Sequence, residues 1–143
     1  MTPFFEKIEM KIISPIITSN TRKTEFLILK ELKLRTDSGW EKAFLVCDTD
    51  CKRVECYLAS DFNNEFSFKK DSTIVVQEHC LSIKHEDCQK WIHTKSNGMY
   101  SFITELWIFI EGGFLSGVLY RSVEDDESYV RDSGDFTASF TKK

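Results

Sequence analysis

Between Glu25 and Glu111 the chain carries five segments of strand character, with one short helical patch between the third and the fourth. That order constrains the fold more than any other feature, because a small sheet with an apolar face must bury it on itself or on helices, and only one short helix is on offer. The first strand, Phe26 to Leu34, places Phe26, Ile28, Leu32 and Leu34 on one parity, with Lys30 the exception, and Glu31, Lys33 and Arg35 on the other. Thr36-Asp37-Ser38-Gly39 is a turn, and the second strand follows from Trp40 to Asp48. The third runs from Lys52 to Ala59. A capped helical turn, Ser60 to Phe66, carries Phe62 and Phe66 at i and i+4, placed to plug one end of a barrel. The fourth strand spans Thr73 to Lys84, a polar loop covers His85 to Gly98, and the fifth strand runs from Met99 to Glu111. The expectation is an all-β fold with minor helix, a closed five-stranded barrel with a short helix between strands 3 and 4.

The segments outside the five strands are less determined. In residues 1–24, Phe4, Phe5, Ile8, Ile12 and Ile13 suit one side of a helix, Met10 and Ile12 also suit a strand, and Pro15 interrupts either. Gly112-Gly113 breaks the fifth strand, and Phe114 to Arg121 packs as a further strand or a short helix. Residues 122–143 are sparse in apolar side chains and read as an acidic, flexible tail. The domain reading is a flank (1–24), a barrel domain (25–121) and that tail (122–143). No internal repeat is visible by eye.

Composition narrows the function classes. With 41% hydrophobic residues in 143, one core forms without metal or disulfide. No uninterrupted apolar run approaches the ~20 residues that span a bilayer, so a soluble, intracellular protein without membrane contact is expected. Cys47, Cys51, Cys56, Cys80 and Cys88 are an odd set that fits a reducing compartment and buried thiols. His79, Cys80, His85, Cys88 and His93 have zinc-ligand chemistry but irregular spacing and no C-x-x-C pair, so no metal or other cofactor is expected. Net charge is −4, yet six acids and three bases fall in 122–143, leaving 17 acids against 16 bases before them. A nearly neutral body does not exclude phosphate contact by a local cluster. Nucleophile, base and orienting group do not assemble with any spacing logic, so an enzyme is not expected.

The stretch KAFLVCDTDCKRVECYLASDF followed by FKKDSTIVVQEHCLSI resembles the second-to-fourth strand region of single-stranded-DNA-binding oligonucleotide-binding (OB) folds, the group of replication protein A and the protection-of-telomeres proteins. The likeness rests on Asp48 at a strand end, on Arg53-Val54-Glu55-Cys56-Tyr57-Leu58, and on Lys69-Lys70-Asp71-Ser72-Thr73-Ile74; Cys51 stands where the family often has glycine. The resemblance implies an OB barrel, a nuclear setting in a replication or telomere complex, and single-stranded DNA as ligand, with RNA not distinguished.

Single strands are held by bases stacked on aromatic rings and phosphates met by Lys and Arg. If Cys47 opposes Lys52, then Ala43, Leu45, Val54 and Cys56 face inward, while Trp40, Lys42, Phe44, Arg53, Glu55 and Tyr57 face outward; a one-residue slip turns Phe44 and Val46 inward instead. Trp40, Lys42, Phe44, Arg53 and Tyr57 are therefore candidate contacts. The loop before the fifth strand adds Lys84, Lys90, Trp91, His93 and Lys95, with Tyr100 just beyond. Each has an ordinary alternative: Trp91 tucked over a barrel end, Trp40 and Tyr57 half in the core, the lysines on solvated faces. The competing function is a non-enzymatic adaptor that binds protein partners of such complexes through the apolar segment Phe114 to Tyr120. The acidic stretch Glu124 to Asp135 reads as a solvated tail or as a phosphate mimic lying on the basic groove.

Overall fold

A computed structural model of the chain describes residues 11–49, 52–77 and 84–143, and for 11–15 and 69–77 the backbone alone. Ten strands and two short helices follow in the order β1 (Lys11–Ser19), β2 (Glu25–Thr36), β3 (Gly39–Asp48), β4 (Val54–Leu58), α1 (Ala59–Glu65), β5 (Phe66–Gln77), β6 (Lys90–His93), β7 (Met99–Ile110), β8 (Gly113–Ser122), β9 (Ser128–Asp132), α2 (Ser133–Ser139) and β10 (Phe140–Lys142). The fold is mostly β with minor helix. Six strands close a hydrogen-bonded ring in the order β2, β3, β4, β7, β8, β9 and back to β2. Two pairings in that ring, β4 with β7 and β9 with β2, are parallel, and the rest are antiparallel.

The chain is a structural duplication. β2 begins at Glu25 and β7 at Met99, 74 residues on, and the same interval relates β3 to β8, β4 to β9 and α1 to α2 at both ends of each element. Irregular features repeat with it. Lys23 and Asn97 both adopt positive φ. The Asn20 N–H donates to the Glu65 carbonyl (2.7 Å) and the Thr94 N–H to the Ser139 carbonyl (2.9 Å). Bulges interrupt β2 between Ile28 and Lys30 and β7 between Phe102 and Thr104.

Those bulges organise the core. An extra residue in one strand flips its following side chains to the other face. Phe26 and Ile28 therefore point out of the ring, whereas Leu32 and Leu34, of the same parity, point in. Lys30, the exception to the sequence pattern, stands just past the bulge. Inside the ring Leu32, Leu34, Ala43, Leu45, Cys56, Leu106, Ile108, Leu119 and Val130 pack together. Two further clusters lie outside it, one under α1 and the β1–β5 pair (Ile17, Phe26, Val46, Tyr57, Phe62, Phe66), the other under α2 and the β6–β10 pair (Val118, Tyr120, Phe136, Phe140).

Several expectations change accordingly. The strand entered through Lys69 to Ile74 lies outside the ring, paired with β1, and β8 and β9 complete the ring instead. Residues 122–143 are not a flexible tail: Ser128–Asp132 is a ring strand, and Phe136 and Phe140 are buried. Residues 11–19 of the flank are a strand, which carries Pro15 at an irregularity where a missing N–H is tolerated. Phe62 and Phe66 cover the outside of the ring rather than its end. The part of the expected fourth strand at 78–83 lies outside the described residues.

Candidate nucleic-acid interface

Leu45 pairs with Cys56 and Phe44 with Tyr57, two residues from the register expected from the turn. A two-residue shift preserves which face each side chain takes, so Ala43, Leu45, Val54 and Cys56 do point inward. The outward face, however, is not all solvent. At Phe44, Val46, Glu55 and Tyr57 it is covered by the β1–α1–β5 layer, which leaves Tyr57 fully buried against Phe66 and Phe109. Tyr57 offers no ring to a base, and Phe44 packs on Phe62 at 4.8 Å.

Two outward faces are covered only in part, and the internal duplication relates them. The first crosses β4, β7 and β8, where exposed Trp107 and Phe114 border buried Glu55 and Tyr57. Buried Glu55 accepts from Arg22 Nη1 (2.8 Å) and Nη2 (2.7 Å), Arg53 Nε (2.5 Å) and Tyr57 Oη (2.8 Å). Burial alone would raise its pKa, but the bonds from Arg22, Arg53 and Tyr57 outweigh that and hold it below the usual carboxylate range. Burial and the neighbouring carboxylate push the Tyr57 phenol up. Both guanidinium groups also lie over Phe114, at 5.4 and 5.1 Å, and Arg53 lies over Trp107 at 5.0 Å. The cations of this face are committed.

The second face crosses β9, β2 and β3, and there the cations are not. Lys33 stands directly opposite Lys42, and Arg35 opposite Trp40. Like charges facing one another across a ladder repel unless an anion comes between them. Glu31 reaches Lys42 only at 3.6 Å, both side chains being more than half exposed, and Lys33 has no acidic partner among the described residues. Trp40 is 38% exposed; it lies 5.2 Å from the Tyr129 ring, with Arg35 and Arg131 over it at 5.5 and 5.2 Å.

Behind Trp40 opens a cavity of about 210 Å³, to which His93 and Tyr100 also contribute. His93 belongs to β6 rather than a loop, and Lys95 sits exposed in the turn that follows. The other loop candidates are placed elsewhere. Trp91, in β6, packs 5.0 Å from Phe136 with its indole Nε1 buried and without an acceptor. Lys90 is spent on the carbonyls of His85 and Cys88, and Lys84 is exposed beside the His85–Asp87 helical turn. Trp40, His93 and Tyr100, expected in two separate clusters, line one cavity beside Lys42, and Lys33 and Arg35, read as outward solvated residues rather than contacts, stand on the same face. Their alternation with inward Leu32 and Leu34 was the available signal. Sequence reasoning missed Tyr129 and Arg131, because the acidic residues around them suggested a tail.

Of the zinc-type ligands, His79 and Cys80 lie outside the described residues, while His85 bonds Ser101 and Asp126 (2.6 and 2.9 Å). No group of three or more His, Cys, Asp or Glu suited to a metal occurs among the described residues. No family model, curated protein or solved structure matches the chain.

Proposed function

We propose that the protein binds single-stranded nucleic acid, with DNA the first choice, on the outward face of β9, β2 and β3. The observation that carries this reading is the row Lys33, Arg35 and Lys42, matched among the described residues by a single exposed ion pair to Glu31, beside the exposed ring of Trp40. Phosphates relieve the opposition of Lys33 and Lys42, and a base stacks on the indole, contributing about 1–3 kcal/mol. The OB likeness belongs to the same proposal. It is supported by the side-by-side order β2, β3, β4, β7 with the last two parallel, and by α1 directly after the third of these strands. Its ring differs in being completed by β8 and β9. A non-enzymatic role in a nuclear replication or telomere complex is part of the proposal.

The test is a salt titration of affinity for short single-stranded DNA and RNA oligomers, read by fluorescence anisotropy with duplex as control. Wild type binds single strands with a linear log–log salt dependence, and Lys33→Ala and Lys42→Ala each reduce its slope by about 0.7. Unchanged slopes in both folded variants contradict the assignment of the face. A second reading, an adaptor that docks protein, is favoured by one observation: Trp107 and Phe114 are exposed on the outward face of β7 and β8, with Arg53 over both rings. Binding to protein partners alone, abolished by Trp107→Ala and indifferent to Lys33, supports that reading instead.

A further inference from the structure

The cavity behind Trp40 is walled by rings and furnished with the Arg131 guanidinium and with hydroxyls that can donate or accept. Arg131 forms its inner side and is 9% exposed. Its Nε donates to Tyr120 Oη (2.8 Å) and its Nη1 to Asp135 Oδ2 (3.0 Å) and Ser139 Oγ (3.3 Å). Nη2 has no hydrogen-bond partner among the described residues, and it is not among the polar atoms sealed from solvent. The hydroxyls of Tyr100 and Tyr129 are likewise unpaired among the described residues. The Ser96 N–H donates to Nδ1 of His93 (3.2 Å), so in the neutral ring the proton sits on Nε2, which becomes another donor. Burial, then Arg131 and Lys95, lower the His93 pKa and keep that ring neutral.

No carboxylate among the described residues lines the cavity; Asp135 is turned to Nη1 of Arg131. Since that ion pair already balances the one buried cation, the site has little to offer a free phosphate. It does suit a flat, uncharged group that presents acceptors. We propose that the cavity receives one nucleobase bearing exocyclic carbonyls, thymine or uracil, turned in from the strand that crosses the β9–β2–β3 face. A carbonyl of such a pyrimidine accepts from Nη2 and its N3–H donates to a hydroxyl, which can accept as well as donate, whereas the amino group of cytosine or adenine set at Nη2 meets it as donor against donor. This inference rests on the proposed function for the strand, but the cavity itself can be probed apart from it.

Anisotropy with oligo(dT), oligo(dC) and oligo(dA) of one length reads the preference, and titration of the free nucleosides thymidine and cytidine, followed by NMR at the Trp40 indole, reads the cavity. Wild type prefers oligo(dT) to oligo(dC) by about tenfold or more, within the range one well-made base contact gives. Ser96→Leu, which fills the rim, and Tyr129→Phe, which removes a hydroxyl, bring the ratio towards unity and leave the salt slope as it is, since neither changes a charge. Equal binding of oligo(dT) and oligo(dC) by wild type, or a ratio unmoved in both folded variants, overturns the inference. If no oligomer binds while thymidine but not cytidine shifts the Trp40 signal, the cavity stands and the strand reading falls. If neither oligomer nor thymidine binds, both fall.

Discussion

Glu55 and Tyr129 occupy equivalent positions in the two halves, and what stands at that position decides the character of each face. On one side a buried carboxylate gathers Arg22 and Arg53 and neutralises most of their charge. On the other a phenol takes the place of the carboxylate, and Lys33, Arg35 and Lys42 share among the described residues one exposed ion pair, from Lys42 to Glu31. Glu55 is buried but Arg22 and Arg53 keep 32% and 39% of their side chains in water, so Glu55→Gln should lower the unfolding free energy by about 1–3 kcal/mol. The pH dependence has a definite sign. The folded pKa of Glu55 lies below the unfolded value of about 4.5, so its contribution is complete above that pH and is lost as pH falls through the folded pKa. Chemical denaturation from about pH 7 down to pH 3 should show wild type losing stability on the acid side and Glu55→Gln losing less. A parallel decline in both proteins contradicts the role given to Glu55. Trp40 and Lys42 were legible as outward residues because alternation along β3 is regular; Tyr57 was legible as outward too, but nothing local announces that another layer covers it.

The strands were readable because their side-chain period is written directly in residue type, and β2, β3, β7 and α1 lie within two residues of their expected bounds. The duplication was not, because equivalent positions keep apolar character and seldom identity. Leu32 and Leu106 agree, as do Leu45 and Leu119, but Val46 corresponds to Tyr120 and Tyr57 to Arg131. The clearest trace is the Asp-Phe-x-x-x-Phe pattern at Asp61, Phe62, Phe66 and again at Asp135, Phe136, Phe140. Such a pattern places one ring on a helix and the next at its exit, both against the ring of strands. One pair of equivalents makes a testable point about packing. Ala43 fits inside the ring, whereas a Cβ on its counterpart Gly117 would lie 2.4 Å from Ile108 Cδ1 and 2.7 Å from Cγ1. Gly117→Ala should therefore cost about 1–3 kcal/mol through overpacking. Ile108→Val, made in the same chain, should recover part of that loss, and strictly additive losses contradict the contact.

For the molecule as a whole, the acidic C-terminal segment, residues 122–143, is a wall of the fold and not an appendage. β9 closes the ring against β2 and β8, so truncation after Arg121 should abolish cooperative unfolding rather than raise affinity for nucleic acid; a truncated chain with wild-type stability contradicts the closed ring. Charge is also divided across the molecule. Asp37, Glu41, Asp61, Glu111, Asp132 and Asp135 line the clefts at the end where the β2–β3 and β7–β8 turns lie, which disfavours phosphates there and leaves the side of the ring as the path for a strand. Three tryptophans report on this arrangement, one per environment: Trp40 on the face of β9, β2 and β3, Trp107 on its counterpart, Trp91 with its Nε1 buried in an outer cluster. The most direct measurement is a titration of the full chain with a short single-stranded oligomer, followed through the three indole N–H signals by NMR. The account predicts a saturable shift at Trp40 while Trp107 and Trp91 hold still. A shift at Trp107 with Trp40 unmoved, or no shift at any of the three, contradicts it.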